Sequence, residues 1–450
     1  MRTFQKDVIA KYLKVYAEPE AELGTRLQRH ADHVLVIPAQ DESISLLNGY
    51  RLALDTVSKQ GGRALCIIVV NSTDTHDSLV RQRNDTLIHA LRTQGSAFRL
   101  HQGSEPPCWH VTTPTFDLVV LDRNKNGYRL PSGHGVGLAR KIGCDFALAA
   151  LHKGLSNSPL IHMTDCDVRL PSDYFNVRVP LSCAALTYRF SHEASGNHRV
   201  DNAHARYEAY LRYYVLGLRH AGSSYAFHTI GSCIAVTPTA YATVRGVPKR
   251  QAGEDFYLLN KLAKVGQVRT PSSAPLTIQA RTSQRVPFGT GQATNDIIRN
   301  GSTYKIYNPK IFDLIGTWCT ALEVINDTSV HAASDNVLHR AESTLGFVDR
   351  WRLRTALASI GALDALTAAA KQSPSPTIRQ KWLVDWFDAF RTLKLVHALR
   401  DTGLPNIPWF LALRDASFCH SAIANRHPQH VTTTDAVNIC ERLAALEDQC

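Results

Sequence analysis

The chain has 450 residues, 44% hydrophobic and 20% charged, with 50 Lys and Arg against 39 Asp and Glu for a formal charge of +11. Its length gives room for two or three domains and a sizeable core, and no apolar run approaches the roughly 18–20 residues that a membrane span needs. The basic balance favours anionic ligands, whether nucleotides, phosphorylated acceptors, nucleic acid or acidic lipid headgroups, and does not choose among them.

In chain order, the N-terminus lacks the apolar core and small-residue cleavage site of a signal peptide. Phe4, Val8 and Tyr12, with Ile9, Leu13 and Tyr16, instead fall on one face of an amphipathic helix. That helix, within residues 1–30, is expected to pack on the body. From residue 33 onward strand-like and helix-like patterns alternate, the mark of βαβ units around a mostly parallel sheet. "HVLVIPAQ" (33–40) predicts a strand and 41–62 a helix closed by Gly61 and Gly62; 63–72 and 77–95 repeat the pair. A third strand is expected at 116–123, a helix over 138–154 and a strand at "PLIHMT" (159–164). Further strands are read at 180–190 and within 225–236, and helices at 204–222 and 253–266. After about residue 310 helices stand alone, including 351–371 and 382–401. On the latter, Trp382, Trp386, Phe390, Leu393 and His397 recur at the spacing of a core face. Ten cysteines are scattered without C-x-x-C pairs, several inside apolar runs, such as Cys66 and Cys233. They predict reduced thiols in a cytoplasmic protein.

Chemistry concentrates after the predicted strands. "TDCD" puts Asp165 and Asp167 one residue apart at a strand's carboxyl end, where open α/β sheets bind ligands. Two carboxylates so close repel unless a cation lies between them. Asp-x-Asp alone is common by chance, so its weight comes from position.

Five features line up in order: "IPAQDE", "VVNSTD", "GHGVGLARKIGCDFAL", "TDCD" and "GEDFYLLNKLAKVG". This set resembles the GT-A-fold nucleotide-sugar glycosyltransferases of the large family 2 group, over roughly residues 33–270. The resemblance implies an α/β, Rossmann-like, mostly parallel sheet flanked by helices, in a domain expected over 31–305; it does not cover the C-terminal region, 306–450, which its helical pattern alone marks as an α-helical domain. It also implies a UDP- or GDP-sugar donor. Pro38, Asp41, Glu42 and Asn71 would line the base and ribose, Asn71 standing where the family more often has Asp; helix capping is the other reading of Glu42. Gly137 and Arg140 would help bind the donor at a helix start, where negative charge is favoured, with Lys141 replacing the family's usual Asn.

Asp167, helped by Asp165, would hold Mn²⁺ or Mg²⁺, and Asp165 would touch the ribose or a metal-bound water. The acid pair Glu254 and Asp255 would face the acceptor, Asp255 as base and Glu254 orienting the hydroxyl; acids favoured at a helix N-terminus are the other reading. The family's Q-x-x-R-W is absent, which leaves Arg281 and Arg285 as candidate diphosphate clamps. The expected activity is metal-dependent, inverting transfer of a sugar to an unidentified acceptor hydroxyl, an anionic one in keeping with the charge. A retaining enzyme of the same fold and a sugar-phosphate nucleotidyltransferase are the alternatives. The C-terminal helices are expected to shape the acceptor site or a contact within a homo-oligomer.

Overall fold

The computed structural model describes residues 3–101, 106–280, 290–300, 304–323, 332–372, 375–423 and 432–449. The chain divides into two compact units, Met1–Ala194 with Thr229–Gly291, and Ser195–His228 with Gln292–Cys450.

The first unit is mixed α/β. Helix α1 (Thr3–Val15) precedes strand β1 (His33–Ala39), α2 (Leu46–Lys59), β2 (Ala64–Asn71) and α3 (Ser78–Arg92). An antiparallel pair, β3 (Ser96–Arg99) and β4 (Cys108–Thr112), leads to β5 (Asp117–Arg123), α4 (Gly135–Lys153) and β6 (Ile161–Met163). Short strands β7 (Val168–Arg169), β8 (Cys183–Thr187) and β9 (Phe190–Glu193) follow. Helix α5 (His198–His220) belongs to the second unit, and the first resumes with β10 (Ile234–Val236), α6 (Pro238–Thr243), α7 (Glu254–Leu262), β11 (Gln267–Arg269) and β12 (Leu276–Gln279).

Nine strands form one sheet in the order β11-β8-β10-β6-β1-β2-β5-β4-β3. All but β10 and β4 run in one direction. The core strands earn their places by sequence: every residue of β2 is buried, as its unbroken apolar run requires of a strand covered on both faces. From β1 the chain builds outward through β2 and β5, then returns to lay β6 on the other side of β1. The sheet thus changes winding direction between β1 and β6, and at such a switch point loops diverge and leave a crevice beyond the strand ends.

Two local details depart from the sequence reading. Helix α2 begins at Leu46, because Asp41 has φ +57°, a left-handed conformation that ends β1, and its N–H donates to Asn84 Oδ1 at 2.8 Å. The segment 225–236 holds one short strand, β10, preceded by a tight turn at Gly231–Cys233.

Helix α1 does bury its apolar face: Ile9 and Tyr12 are almost inaccessible. Tyr12 Oη donates to Asp145 Oδ1 at 2.6 Å, Tyr241 Oη to the same oxygen at 2.7 Å, and Lys141 Nζ to Asp145 Oδ2 at 2.6 Å. Lys141 is therefore an interior residue whose charge is spent on Asp145.

The second unit is helical. To α5 it adds α8 (Thr290–Asn300), which begins at the boundary, then α9 (Lys310–Glu323), α10 (Ala332–Ser343), α11 (Phe347–Ser359) and α12 (Ala362–Gln372). It ends with α13 (Pro376–Trp386), α14 (Ala389–Asp401), α15 (Trp409–Asp415) and α16 (Thr433–Gln449); a two-residue pairing joins β13 (Lys305–Ile306) to β14 (Ile407–Pro408). Ala205, Ala209, Tyr213 and Leu216 of α5 share one core with Phe312, Ile315 and Trp318 of α9 and Ile439 and Leu443 of α16. Helix α5 thus lies inside the span read as one glycosyltransferase domain, yet its apolar face belongs to the C-terminal helices.

Both long helices predicted there are broken. Gly361 takes φ +77° between α11 and α12, and Asp388 caps α14 by accepting from Arg391 N–H at 3.1 Å. The second break shifts the helical phase. Leu395, Val396 and Leu399 enter the core, while Phe390 is 37% exposed. Among the described residues no helix is long and apolar enough to cross a membrane.

Candidate active site

Beyond the ends of β1 and β6, three elements bring charged side chains together. Arg140 lies in the second turn of α4, Asp165 follows β6, and Glu254 and Asp255 open α7. Arg140 is 2% exposed. Its Nη2 donates to Asp165 Oδ1 at 2.9 Å, its Nε to Glu254 Oε1 at 3.3 Å and its Nη1 to the Gly231 carbonyl at 2.9 Å. Burial works against this charge, but Asp165, Glu254 and Asp255 outweigh it and hold the guanidinium above its ordinary value.

The acids feel the reverse balance. Glu254, 4% exposed, is raised by burial against the opposing pull of Arg140. Burial, and then the neighbouring Glu254 carboxylate, push Asp255 up to about 7, although its Oδ1 accepts from Phe256 N–H at 2.7 Å. Among the described residues one guanidinium thus faces three carboxylates, and the pair at the start of α7 holds its protons unusually well.

Residues that sequence reading did not single out fix this arrangement. Tyr50 of α2, fully buried, donates its hydroxyl to the Asp165 carbonyl at 2.8 Å. Gly49, one residue earlier, accepts from Leu170 N–H at 2.8 Å, and a Cβ there would strike the Val168 carbonyl. Helix α2 therefore grips the loop that carries both aspartates. At Gly231 a Cβ would stand 2.8 Å from Arg140 Nη2 and 3.5 Å from Asp255 Oδ2, so the glycine leaves room for the guanidinium and carboxylate above it. The signal available in sequence was a glycine inside a helical pattern and another before a short strand, both marks of close approach.

The other predicted residues divide. Asp167 follows Asp165, half-buried, and its carbonyl accepts from Gln279 N–H at 2.9 Å. Pro38 is buried in β1 and its carbonyl accepts from Cys166 Sγ at 3.4 Å. Asp41 pairs with Arg83 at the end of β1. Glu42 lies in the same loop but does not cap α2, whose N-cap residue is Ser45. The Asn71 amide is turned into the sheet, donating to the Ala39 and Val69 carbonyls at 3.0 and 3.2 Å, because its position at the end of β2 is 96% buried.

Three expectations change. Gly137 admits protein backbone: its N–H donates to the Arg250 carbonyl at 3.0 Å, and a Cβ would lie 2.6 Å from the Pro248 and Arg250 carbonyl oxygens. Arg140, expected among the donor-binding residues, has its side chain turned onto Asp165, Glu254 and the Gly231 carbonyl. Glu254, expected at the acceptor, points inward onto Arg140, since α7 buries that side of its first turn. Arg281 and Arg285 lie outside the described residues. Among the described residues no group of three or more His, Cys, Asp or Glu side chains could cage a metal ion. No protein-family model matches the chain, and no curated protein matches it.

Proposed function

We propose that the chain is a GT-A-type glycosyltransferase that moves a sugar from a nucleoside-diphosphate sugar to an acceptor hydroxyl with inversion. The observation that carries this reading is the cluster at the sheet's switch point, where Asp165, Glu254 and Asp255 surround Arg140 and Asp255 is poised near neutrality. The switch point of an open α/β sheet is where such folds take nucleotides, and a carboxyl titrating near 7 suits a base that works at neutral pH.

The donor set fits a hard divalent ion taken up together with the donor. Mg²⁺ and Mn²⁺ accept one or two carboxylates plus substrate phosphates and waters without a full protein cage, and Asp165 and Asp167 are such a pair. They would hold Mn²⁺ or Mg²⁺, whose contribution when bound is to neutralise charge on the departing diphosphate.

The remaining roles belong to the chain. Asp255 takes the acceptor hydroxyl proton as that oxygen forms the new bond to the anomeric carbon and the diphosphate leaves with its electron pair. Glu254 and the Gly231 carbonyl position Arg140, and Arg140 positions Asp165. Incubation with UDP- and GDP-sugars, with water or added alcohols as acceptors, followed by NMR of the product tests the reading. It predicts donor consumption with inverted anomeric configuration. Retention points to a retaining enzyme; nucleotidyl transfer, or no donor consumption with any sugar nucleotide, rejects the reading.

A further inference from the structure

A second feature of the first unit lies next to the acid cluster. The turn after α6, "RGVPKR", carries Arg245, Lys249 and Arg250, and α7 adds Lys261; all four side chains are exposed. The turn is rigidly founded. Gly246 has φ +70°, and a Cβ on it would collide with Tyr12 Oη and approach Tyr241 Oη to 3.0 Å, the two hydroxyls that grip buried Asp145. Arg245 is itself left-handed at φ +65°, a conformation a long side chain rarely holds unless its surroundings impose it.

Both guanidiniums are pre-stacked on aromatic rings. Arg245 lies 4.8 Å from the Tyr16 ring centroid and Arg250 3.8 Å from that of Tyr257. The ring contact restrains each guanidinium, and an exposed, restrained guanidinium suits an oxyanion. Lys261 Nζ donates to the Val244 carbonyl at 3.3 Å. Desolvation by the surrounding chain, then Arg245, Lys141 and Arg250, hold that ammonium below its ordinary value. Glu18 pairs with Lys249 of this group at 2.7 Å and also lies 3.7 Å from the interior Lys141.

The position relates it to the chemistry. Gly137 of α4 bonds the Arg250 carbonyl, and Arg140, three residues on, bonds Asp165 and Glu254. That offset along a helix is about 4.5 Å. Arg250 and Tyr257 also bracket Asp255 in sequence.

We infer that the Arg245–Arg250 turn, with Lys261, binds a phosphoryl group carried by the acceptor, so that the acceptor's hydroxyl meets Asp255. The inference rests on the function proposed above for that carboxylate. The phosphoryl group belongs to a small metabolite or to a lipid headgroup, and the test separates the two.

Inorganic pyrophosphate is titrated by calorimetry, with EDTA present, into the full chain and into Arg250→Ala, Lys261→Gln and the exposed control Lys59→Ala. Cosedimentation with phosphatidylcholine vesicles, with and without phosphatidic acid, forms the second arm. Loss of a charge-assisted contact weakens binding about 10-fold or more. A small phosphorylated acceptor predicts pyrophosphate binding that drops by that factor in Arg250→Ala and Lys261→Gln but not in Lys59→Ala. A lipid acceptor predicts the same pattern for vesicles containing phosphatidic acid. Absence of binding in both arms, or binding equal in all variants, overturns the inference. Mn²⁺-dependent nucleoside-diphosphate binding, measured on the same variants, should be unchanged. Its absence from the unsubstituted chain sinks the glycosyltransferase reading and leaves the phosphoryl site to be judged on pyrophosphate alone.

Discussion

At Asp255 the burial that lifts the carboxyl to about 7 has two opposite consequences. As a base it must be ionised, so acceptor-dependent kcat/KM should fall about tenfold per unit as pH drops below about 7. Asp255→Asn should lose roughly 10²- to 10⁴-fold in transfer while the donor still binds; an unchanged rate would leave Asp255 a helix-end acid. For stability the sign is reversed. Between the ordinary value of 3.8 and about 7 the folded chain binds more protons than the unfolded one, so stability falls as pH rises through that window. Asp255→Asn removes this penalty and should raise the melting temperature at pH 8 by about 2–4 °C, with no gain at pH 4. A base retained for chemistry destabilises the fold, whereas an acid retained for structure would show no gain on neutralisation. Arg140→Met should have the opposite sign: Glu254, and in part Asp165, lose their internal cation, at a cost of about 3 kcal/mol read from urea unfolding.

Between elements, the close approach of α4 to the 248–251 segment rests on Gly137. A methyl there meets backbone oxygen at 2.6 Å, where no side chain can swing away. Gly137→Ala should therefore cost about 1–3 kcal/mol in urea unfolding, against the gain expected at an open helical site. Tyr50→Phe should cost about 1 kcal/mol, since one buried hydrogen bond to the Asp165 carbonyl is lost without a change of shape.

Elements of this kind also mark what could be read beforehand. The runs that became β1, β2 and β5 were legible because full burial demands unbroken apolar sequence, and Asp165 because it ends such a run. The edge strand β3 is exposed on both faces, so it carries neither an apolar run nor an alternation. The breaks at Gly361 and Asp388 each turn on one residue, which a periodicity spread over twenty residues does not register. Least legible was the cluster itself. Arg140 meets partners 25 and 114 residues away, and sequence gave each residue a ligand to face before it could give them one another.

Over the whole molecule, the chain passes between the two units at residues 194–195, 228–229 and 291–292. A cut near residue 310 therefore does not detach a tail. It leaves α5 with Ala205, Ala209, Tyr213 and Leu216 stripped of α9 and α16, and removes Glu447, which pairs with Arg212 at 2.6 Å. A fragment ending at residue 310 should elute as aggregate in size-exclusion chromatography; a monodisperse fragment would show that α5 is stable without those helices. The central claim concerns the first unit, and calorimetric titration of UDP and GDP with and without Mn²⁺ tests it most directly. The chain and Asp255→Asn should both bind one of these nucleotides only when Mn²⁺ is present, and Asp167→Ala should lose that binding. Asp167→Ala binding with unchanged affinity and unchanged Mn²⁺ dependence, or neither nucleotide binding the chain at all, would contradict the account.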